Sequence, residues 1–374
     1  MKYYLISGEA SGDLHGGNLI KALKTQDSTA TIRCWGGDLM QSAGAELVKH
    51  YRDLAFMGFA EVVKNLPTIF KNIRFCKDDI LAFQPDAVIL IDYPGFNLRI
   101  AEWAHNEGLK VIYYISPQVW AWKEGRVKKM KQIIDKMLVI LPFEKDYYKE
   151  KWNWDVDYVG HPLIEAIEEK KKELGYTLAK TNPGFTIKKI ALLPGSRKQE
   201  ITKKLPIMLE VAKSFPDYQF VVAEAPGLES DFYIPFLKAY QNVASVKNAT
   251  YQLLLESDAA LVTSGTATLE TALLGVPEIV CYKGSNISYQ IAKRLIKIKY
   301  ISLVNLIMDK LIVTELIQDE LNVVNLVKEL NLILSNPVHQ TQLKADYLDL
   351  YEKLSKGGHA SAQAAKIIID FLTK

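Results

Sequence analysis

The sequence predicts an α/β protein built from two doubly wound domains, each a parallel sheet with helices on both faces. Three observations carry that expectation. Short apolar runs of strand length alternate with helical stretches along most of the chain. Several runs end in a Gly-bearing turn that opens straight into a helix. The alternation pauses at GYTLAKTNPGFTIKK, rich in Gly, Pro, Thr and Lys, and then starts over. At 374 residues the chain is too long for one typical core. Two Rossmann-like domains facing a cleft are expected, at 1–175 and 188–356, with a linker at 176–187 and a last helix near 357–374 that can pack back on the first domain.

Composition narrows the function classes. Hydrophobic residues make up 49% and charged residues 24%, an ordinary globular balance. Lys plus Arg number 46 against 43 acids, a net charge of +3, too small for a dedicated nucleic-acid binder. Cys34, Cys76 and Cys281 lie far apart, with no metal or redox spacing, and fit a reducing cytosol. The six histidines are also scattered, so no metal is expected. Met1-Lys2 leads directly into an apolar strand, which does not read as an export signal. No apolar run approaches the roughly 18 residues needed to span a bilayer. A soluble or peripheral protein is expected.

The first strand, Tyr3 to Ile6, runs into SGEASGDLHGGNLIKAL, a Gly-rich turn and a helix. Gly8, Gly12, Gly16 and Gly17 do not match the GxGxxG dinucleotide fingerprint. The turn still lets backbone approach a ligand closely, with Glu9, Ser11 and Asp13 lining it. A plain strand-to-helix turn accounts for the same residues. Thr31 to Trp35 is the next strand, ended by Gly36-Gly37.

Residues 56 to 77 carry an unusual apolar load. Leu66, Ile69, Phe70 and Ile73 fall on one helical face, with Lys64, Lys71 and Arg74 to its side. A basic amphipathic helix of this kind can lie on an anionic membrane surface, or it can simply face the core. The strand Asp86 to Ile91 ends at Asp92, Tyr93-Pro94-Gly95 turns the chain, and Asn97 is placed to cap the next helix. Asp92 thus sits at the carboxyl end of a parallel strand, where α/β sheets bind ligands, although an Asx-turn would also suit it. Val111 to Ile115 leads into SPQVWAWKEGRVKKMKQII, where Trp120 and Trp122 precede a basic run fit for acidic headgroups or plain solvation. Lys136 to Leu141 and Asp157 to Val159 complete the first set of strands.

The second half restarts with the strand Lys189 to Leu193 and PGSRKQEI. Ser196 and Gln199 have capping-box spacing, which gives Ser196 a structural role. Arg197 has none, and a guanidinium in a first helical turn is disfavoured by the dipole unless an anion is present. Gln219 to Ala223 and Val243 to Val246 are strands, followed by SDAALVTSGTATLETALLGVPEIVCY at 257–282. In this βαβ unit Ala259 to Val262 and Ile279 to Tyr282 are strands, and Gly275 stops the helix between them in a left-handed cap. Free amides at Ser264-Gly265-Thr266, backed by the helix dipole, suit an anion such as a diphosphate. If Thr266 caps the helix, a capping box would want its acid at 269; that residue is Leu269, and the acid is Glu270. Glu270 is therefore free to accept hydrogen bonds from a ribose diol, or it is an ordinary first-turn Glu. Asn305 falls in a loop facing the same region, and helices are expected at 321–335 and 338–355.

Together the motifs ISGEASGDLHGG, MGFAEVV, IDYPGFN, YYISPQVWAWK, LPFEK, LLPGSR, TSGTATLE and YISLVNLI resemble, in this order, the lipid-A-disaccharide synthase family. The resemblance runs from about residue 5 to the end and is least at 170–187. It implies a GT-B-type glycosyltransferase that joins a UDP-2,3-diacylglucosamine donor to an acylated sugar phosphate acceptor, 2,3-diacylglucosamine 1-phosphate. The product is the β-1,6-linked disaccharide, formed with inversion and release of UDP. Asp92 becomes the candidate base, and Ser196, Arg197, Ser264, Gly265, Thr266, Glu270 and Asn305 fall to the UDP side, while Gly8, Glu9, Ser11, Gly12 and Asp13 line the other domain. No cofactor or metal is implied. Leu66, Ile69, Phe70, Ile73, Trp120 and Trp122 become candidates for acyl or membrane contact, on a peripheral protein at the inner face of the inner membrane, with a homodimer as its assembly. Two other classes remain: another UDP-sugar enzyme on the same scaffold, such as a 2-epimerase or a GlcNAc transferase, and a non-catalytic UDP-sugar sensor.

Overall fold

A computed structural model describes residues 1–54, 66–176, 187–284 and 298–374. The chain divides into two compact units, Met1–Pro162 with Leu354–Lys374, and Leu163–Lys353.

The first unit begins β1 (Lys2–Ile6), α1 (Ala10–Gln26), β2 (Thr31–Gly36), α2 (Asp38–Ser42) and β3 (Glu46–His50). It continues α3 (Leu66–Phe83), β4 (Ala87–Ile91), α4 (Pro94–Asn106), β5 (Val111–Tyr114), α5 (Val127–Ile133), β6 (Lys136–Val139), α6 (Pro142–Trp152) and β7 (Asp157–Tyr158). Its seven parallel strands run in the order β3-β2-β1-β4-β5-β6-β7. Tyr3 to Ile6 and Ala87 to Ile91 are fully buried, because both faces of these central strands are covered. One face packs on Ile73, Cys76 and Ile80 of α3 and Ile100 and Ala104 of α4. The other meets Leu19, Ile20 and Leu23 of α1, together with Ala360, Ala364 and Ile368 near the end of the chain. Strand order reverses between β1 and β4, so the turns after these two strands diverge and leave a crevice at their carboxyl ends.

The second unit contains α7 (Pro162–Glu173, from its second residue), β8 (Lys188–Leu193), α8 (Lys198–Val211), β9 (Tyr218–Glu224), α9 (Ile234–Leu237) and β10 (Val243–Lys247). After these come α10 (Thr250–Leu255), β11 (Ala259–Thr263), α11 (Thr266–Leu273), β12 (Glu278–Tyr282), α12 (Leu303–Met308), β13 (Thr314–Ile317), α13 (Val323–Ser335) and α14 (Pro337–Ser355, as far as Lys353). The sheet is again parallel, in the order β10-β9-β8-β11-β12-β13, and reverses between β8 and β11. The last helix, α15 (Ala360–Leu372), belongs to the first unit.

Two strands differ from the sequence expectation. Strands β3 and β13 were not expected; each lies at a sheet edge, paired on one side, so neither needs a buried apolar run. The compact units divide after Pro162, and within the second unit Lys171 Nζ of α7 donates to the Leu273 carbonyl at 3.2 Å. Most of the expected linker, 177–186, lies outside the described residues, as do residues 55–65 of the amphipathic segment.

Candidate functional site

The crevice of the first unit is built by the turns after β1 and β4. Gly8 lies directly against the Tyr93 ring, so any Cβ at position 8 would collide with it. Gly12 packs on Ser7, where a Cβ would come within 2.9 Å of the serine Cβ. Gly8 therefore lets the turn after β1 approach the turn after β4, and Gly12 lets α1 pack closely on its own entry turn. Glu9 and Ser11 are exposed at this helix start. Asp13 is not available: its carboxylate accepts from the Gly37, Leu39 and Met40 amides at 2.7, 3.1 and 3.0 Å, and it is 3% exposed. It caps α2, so its expected place in a ligand-lining turn is corrected.

Asp92 and Tyr93 both have left-handed backbone, with φ of 45° and 48°. Two such residues in succession, neither of them Gly, cost of order 1–3 kcal/mol each and persist only where the surroundings enforce them. Asn97 provides much of that enforcement. It is fully buried, and its Nδ2 donates to the carbonyls of Asp92 at 2.8 Å, Ile91 at 3.2 Å and Ile6 at 3.3 Å. Tyr113 Oη donates to the same Asp92 carbonyl at 2.6 Å. Asn97 is thus no N-cap; α4 already starts at Pro94, and the amide clamps the ends of β1 and β4. Burial, aided by the charge of Glu9, pushes the Asp92 carboxyl up to about 6, against the opposing Tyr93 N–H. Sequence reasoning missed Asn97 and Tyr113 as supports, because only the folded sheet brings the end of β1 to Asn97 and Tyr113 of β5 to the Asp92 carbonyl.

The expected acyl-contact residues separate. Ile73 is buried and Ile69 packs on the core, so this side of α3 faces inward, while Phe70 is 59% exposed beside the Arg99 guanidinium. The side chain of Leu66 lies outside the described residues. Trp122 is 47% exposed, with Lys123 Nζ 4.1 Å from its ring. Trp120 turns inward instead: its indole donates to Glu144 Oε1 at 3.2 Å and its ring meets Phe143 edge-on. Glu144 Oε2 accepts the Leu141 amide at 3.0 Å, and burial pushes this carboxyl up to about 7. Ile73 is thus a core position, Ile69 packs half-buried against the core, and Trp120 is half-buried with its indole N–H engaged by Glu144.

In the second unit Gly265 caps α11 with φ of 151° and ψ of −163°, a conformation open essentially to Gly alone. Helix α11 begins at Thr266, and Gly275 ends it with φ of 82°. Ser264 Oγ donates to the Ile301 carbonyl at 2.9 Å. Glu270 makes no cap; its Oε1 accepts from Tyr251 Oη at 2.8 Å, and burial raises its pKa. Ser196 is exposed and does not cap α8, whose N-cap is Arg197, so the expected capping box does not form. Arg197 is 57% exposed, and its nearest carboxylate oxygen, on Glu200, lies 3.7 Å away.

Asn305 is corrected. It sits on α12, fully buried, with Nδ2 donating to Val313 O and Glu315 Oε1, both at 2.9 Å, and Oδ1 accepting the Ile312 and Val313 amides. With both donor hydrogens and both acceptor sites used, it has nothing left for a ligand. Its bonds tie the backbone at Ile312 and Val313 to Glu315, whose other oxygen accepts the Ile301 amide at 2.9 Å. Among the described residues, no group of three or more His, Cys, Asp or Glu side chains could hold a metal ion. No described helix is long and apolar enough to cross a membrane.

A family model described as lipid-A-disaccharide synthetase matches residues 3–369. Lipid-A-disaccharide synthases of Geobacter metallireducens and Syntrophus aciditrophicus are each 38% identical, over 99% of this chain and 97% of theirs. That of Coxiella burnetii is 35% identical over 97% and 96%. Among solved structures, the glycotransferase of kitacinnamycin superposes with a TM-score of 0.67 at 15% identity, covering 99% of both chains. The UDP-GlcNAc 2-epimerase of Neisseria meningitidis, bound to UDP-GlcNAc, superposes at 0.65 and 16% identity over the whole of both. The fold is the two-domain α/β fold of GT-B glycosyltransferases and epimerases.

Proposed function

The chain belongs to the lipid-A-disaccharide synthetase family, glycosyltransferases that form the lipid A disaccharide, and from that premise we propose how its residues divide the work. Asp92 is the general base. The acceptor 6-hydroxyl oxygen attacks the anomeric carbon of UDP-2,3-diacylglucosamine, Asp92 takes the hydroxyl proton, and the bond to the diphosphate breaks to release UDP. Attack opposite the leaving group turns the α-glycoside into a β-1,6 link. The observation that carries this reading is a carboxyl pushed up to about 6 at the strand-order reversal of the first sheet. Such a group is ionised at neutral pH yet binds a proton far more readily than a free Asp, as a base near its operating pH should.

The donor belongs to the second unit. The amides at Gly265 and Thr266 and the Arg197 guanidinium are suited to the diphosphate, and Glu270 to the ribose. Phe70 and Trp122, exposed aromatic side chains beside Arg99 and Lys123, are suited to an anionic membrane surface holding the acylated substrates. The protein would then work peripherally at the inner face of the inner membrane.

The test measures UDP release with and without the acylated acceptor. Asp92→Asn is expected to lower the turnover number ~10²–10⁴-fold with UDP affinity unchanged. Arg197→Ala should instead weaken UDP binding by ~1–3 kcal/mol. In the wild type, kcat/KM should fall about tenfold per pH unit below about 6, as Asp92 takes up its proton. Asp92→Asn with more than about a tenth of normal turnover, below the range expected of a base, would remove Asp92 from the mechanism.

A further inference from the structure

The Tyr251–Glu270 contact joins two helices that both start at the carboxyl edge of the second sheet. Tyr251 lies in the first turn of α10, just after β10, and Glu270 in the second turn of α11, after β11. The two are 19 residues apart, and the phenol donates to Glu270 Oε1 at 2.8 Å. Burial and the neighbouring carboxylate both hold the tyrosine proton in place. Among the described residues no cation pairs with Glu270. A partly buried carboxylate whose fixed partner is a neutral hydroxyl keeps acceptor capacity to spare.

We propose that Tyr251 is a positioning and specificity residue for the donor, holding Glu270 so that the pair reads the ribose cis-diol of a uridine diphosphate. This deepens the donor reading above and rests on it. With Oε1 engaged, Oε2 is the open acceptor for one ribose hydroxyl. The tyrosine oxygen points its O–H at Glu270 but keeps lone pairs, and accepts from the adjacent hydroxyl. Fixing the carboxylate before the ligand arrives also removes the cost of ordering it on binding.

The experiment is calorimetry of UDP and 2′-deoxy-UDP with the full chain and with Tyr251→Phe, Glu270→Gln and the double variant. Tyr251→Phe removes one oxygen and should leave the melting temperature nearly unchanged. It should weaken UDP roughly tenfold, in line with loss of a charged hydrogen bond, and shrink the preference for UDP over 2′-deoxy-UDP. The double variant should be little weaker than Glu270→Gln alone, because the two residues act as one. If Glu270→Gln weakens UDP while Tyr251→Phe keeps both affinity and ribose preference, Tyr251 is only a packing residue and this proposal falls. If Glu270→Gln leaves UDP affinity intact, the ribose placement itself falls, and this proposal with it.

Discussion

The Asn97 side chain donates to the Asp92 carbonyl at 2.8 Å and, through the same nitrogen, reaches the Ile6 carbonyl at the end of β1. One buried amide thus ties together the two strand ends between which the sheet order reverses. The left-handed turn at Asp92 and Tyr93 has little local reason to form, since neither residue is Gly. It is held from outside, by Asn97 and by Tyr113.

Asn97→Ala should therefore act twice. Losing the buried donor is expected to cost ~1–3 kcal/mol, because carbonyl oxygens are left unpaired away from water. Turnover should fall further than the loss of folded protein explains, because the carboxylate is no longer aimed. A thermal melt together with kcat at a temperature where the variant is fully folded separates the two effects. Normal kcat in the folded variant would show that the turn holds itself.

The exposed aromatics give a surface prediction. Phe70→Ser with Trp122→Ser should reduce binding to vesicles containing anionic lipid and leave the melting temperature nearly intact, as both side chains are largely exposed. Ile73→Ala is the contrast: Ile73 is 8% exposed within the core, so this change should lower stability by ~2–5 kcal/mol. Unchanged vesicle binding in the double variant would remove these residues from any membrane contact.

Glu278, the first residue of the interior strand β12, offers a further test. Its carboxyl is 1% exposed, neither oxygen has a hydrogen-bond partner among the described residues, and burial raises its pKa well above the usual range. A carboxyl whose folded pKa is raised contributes stability that is fully present below the unfolded value, near 4.5, and is lost as pH rises through the folded one. Glu278→Gln should therefore raise the melting temperature at pH 8 more than at pH 5. An equal change at both pH values would mean that Glu278 already has a partner in solution.

What the sequence determined by itself is local or periodic. The alternation of strand and helix, the restart after the linker-like stretch, and the left-handed Gly275 stop were legible because each depends on residues within a turn or two. The ordered motifs placed the family for the same reason. Asp92 at a strand end was legible too, since a buried parallel strand announces where it stops.

Only tertiary packing decided what the polar side chains do. Asp13 read as a ligand-lining acid until α2 brought three amides to it; Asn305 read as a loop residue until Glu315 and Val313 consumed its amide. Trp120 read as outward until α6 delivered Glu144, and Asn97 as a cap until β1 came within its reach. Most buried polar groups have a partner, and that partner commonly comes from an element distant in the chain. Hydrophobic period records which face is inside; it carries no record of which donor will meet which acceptor there.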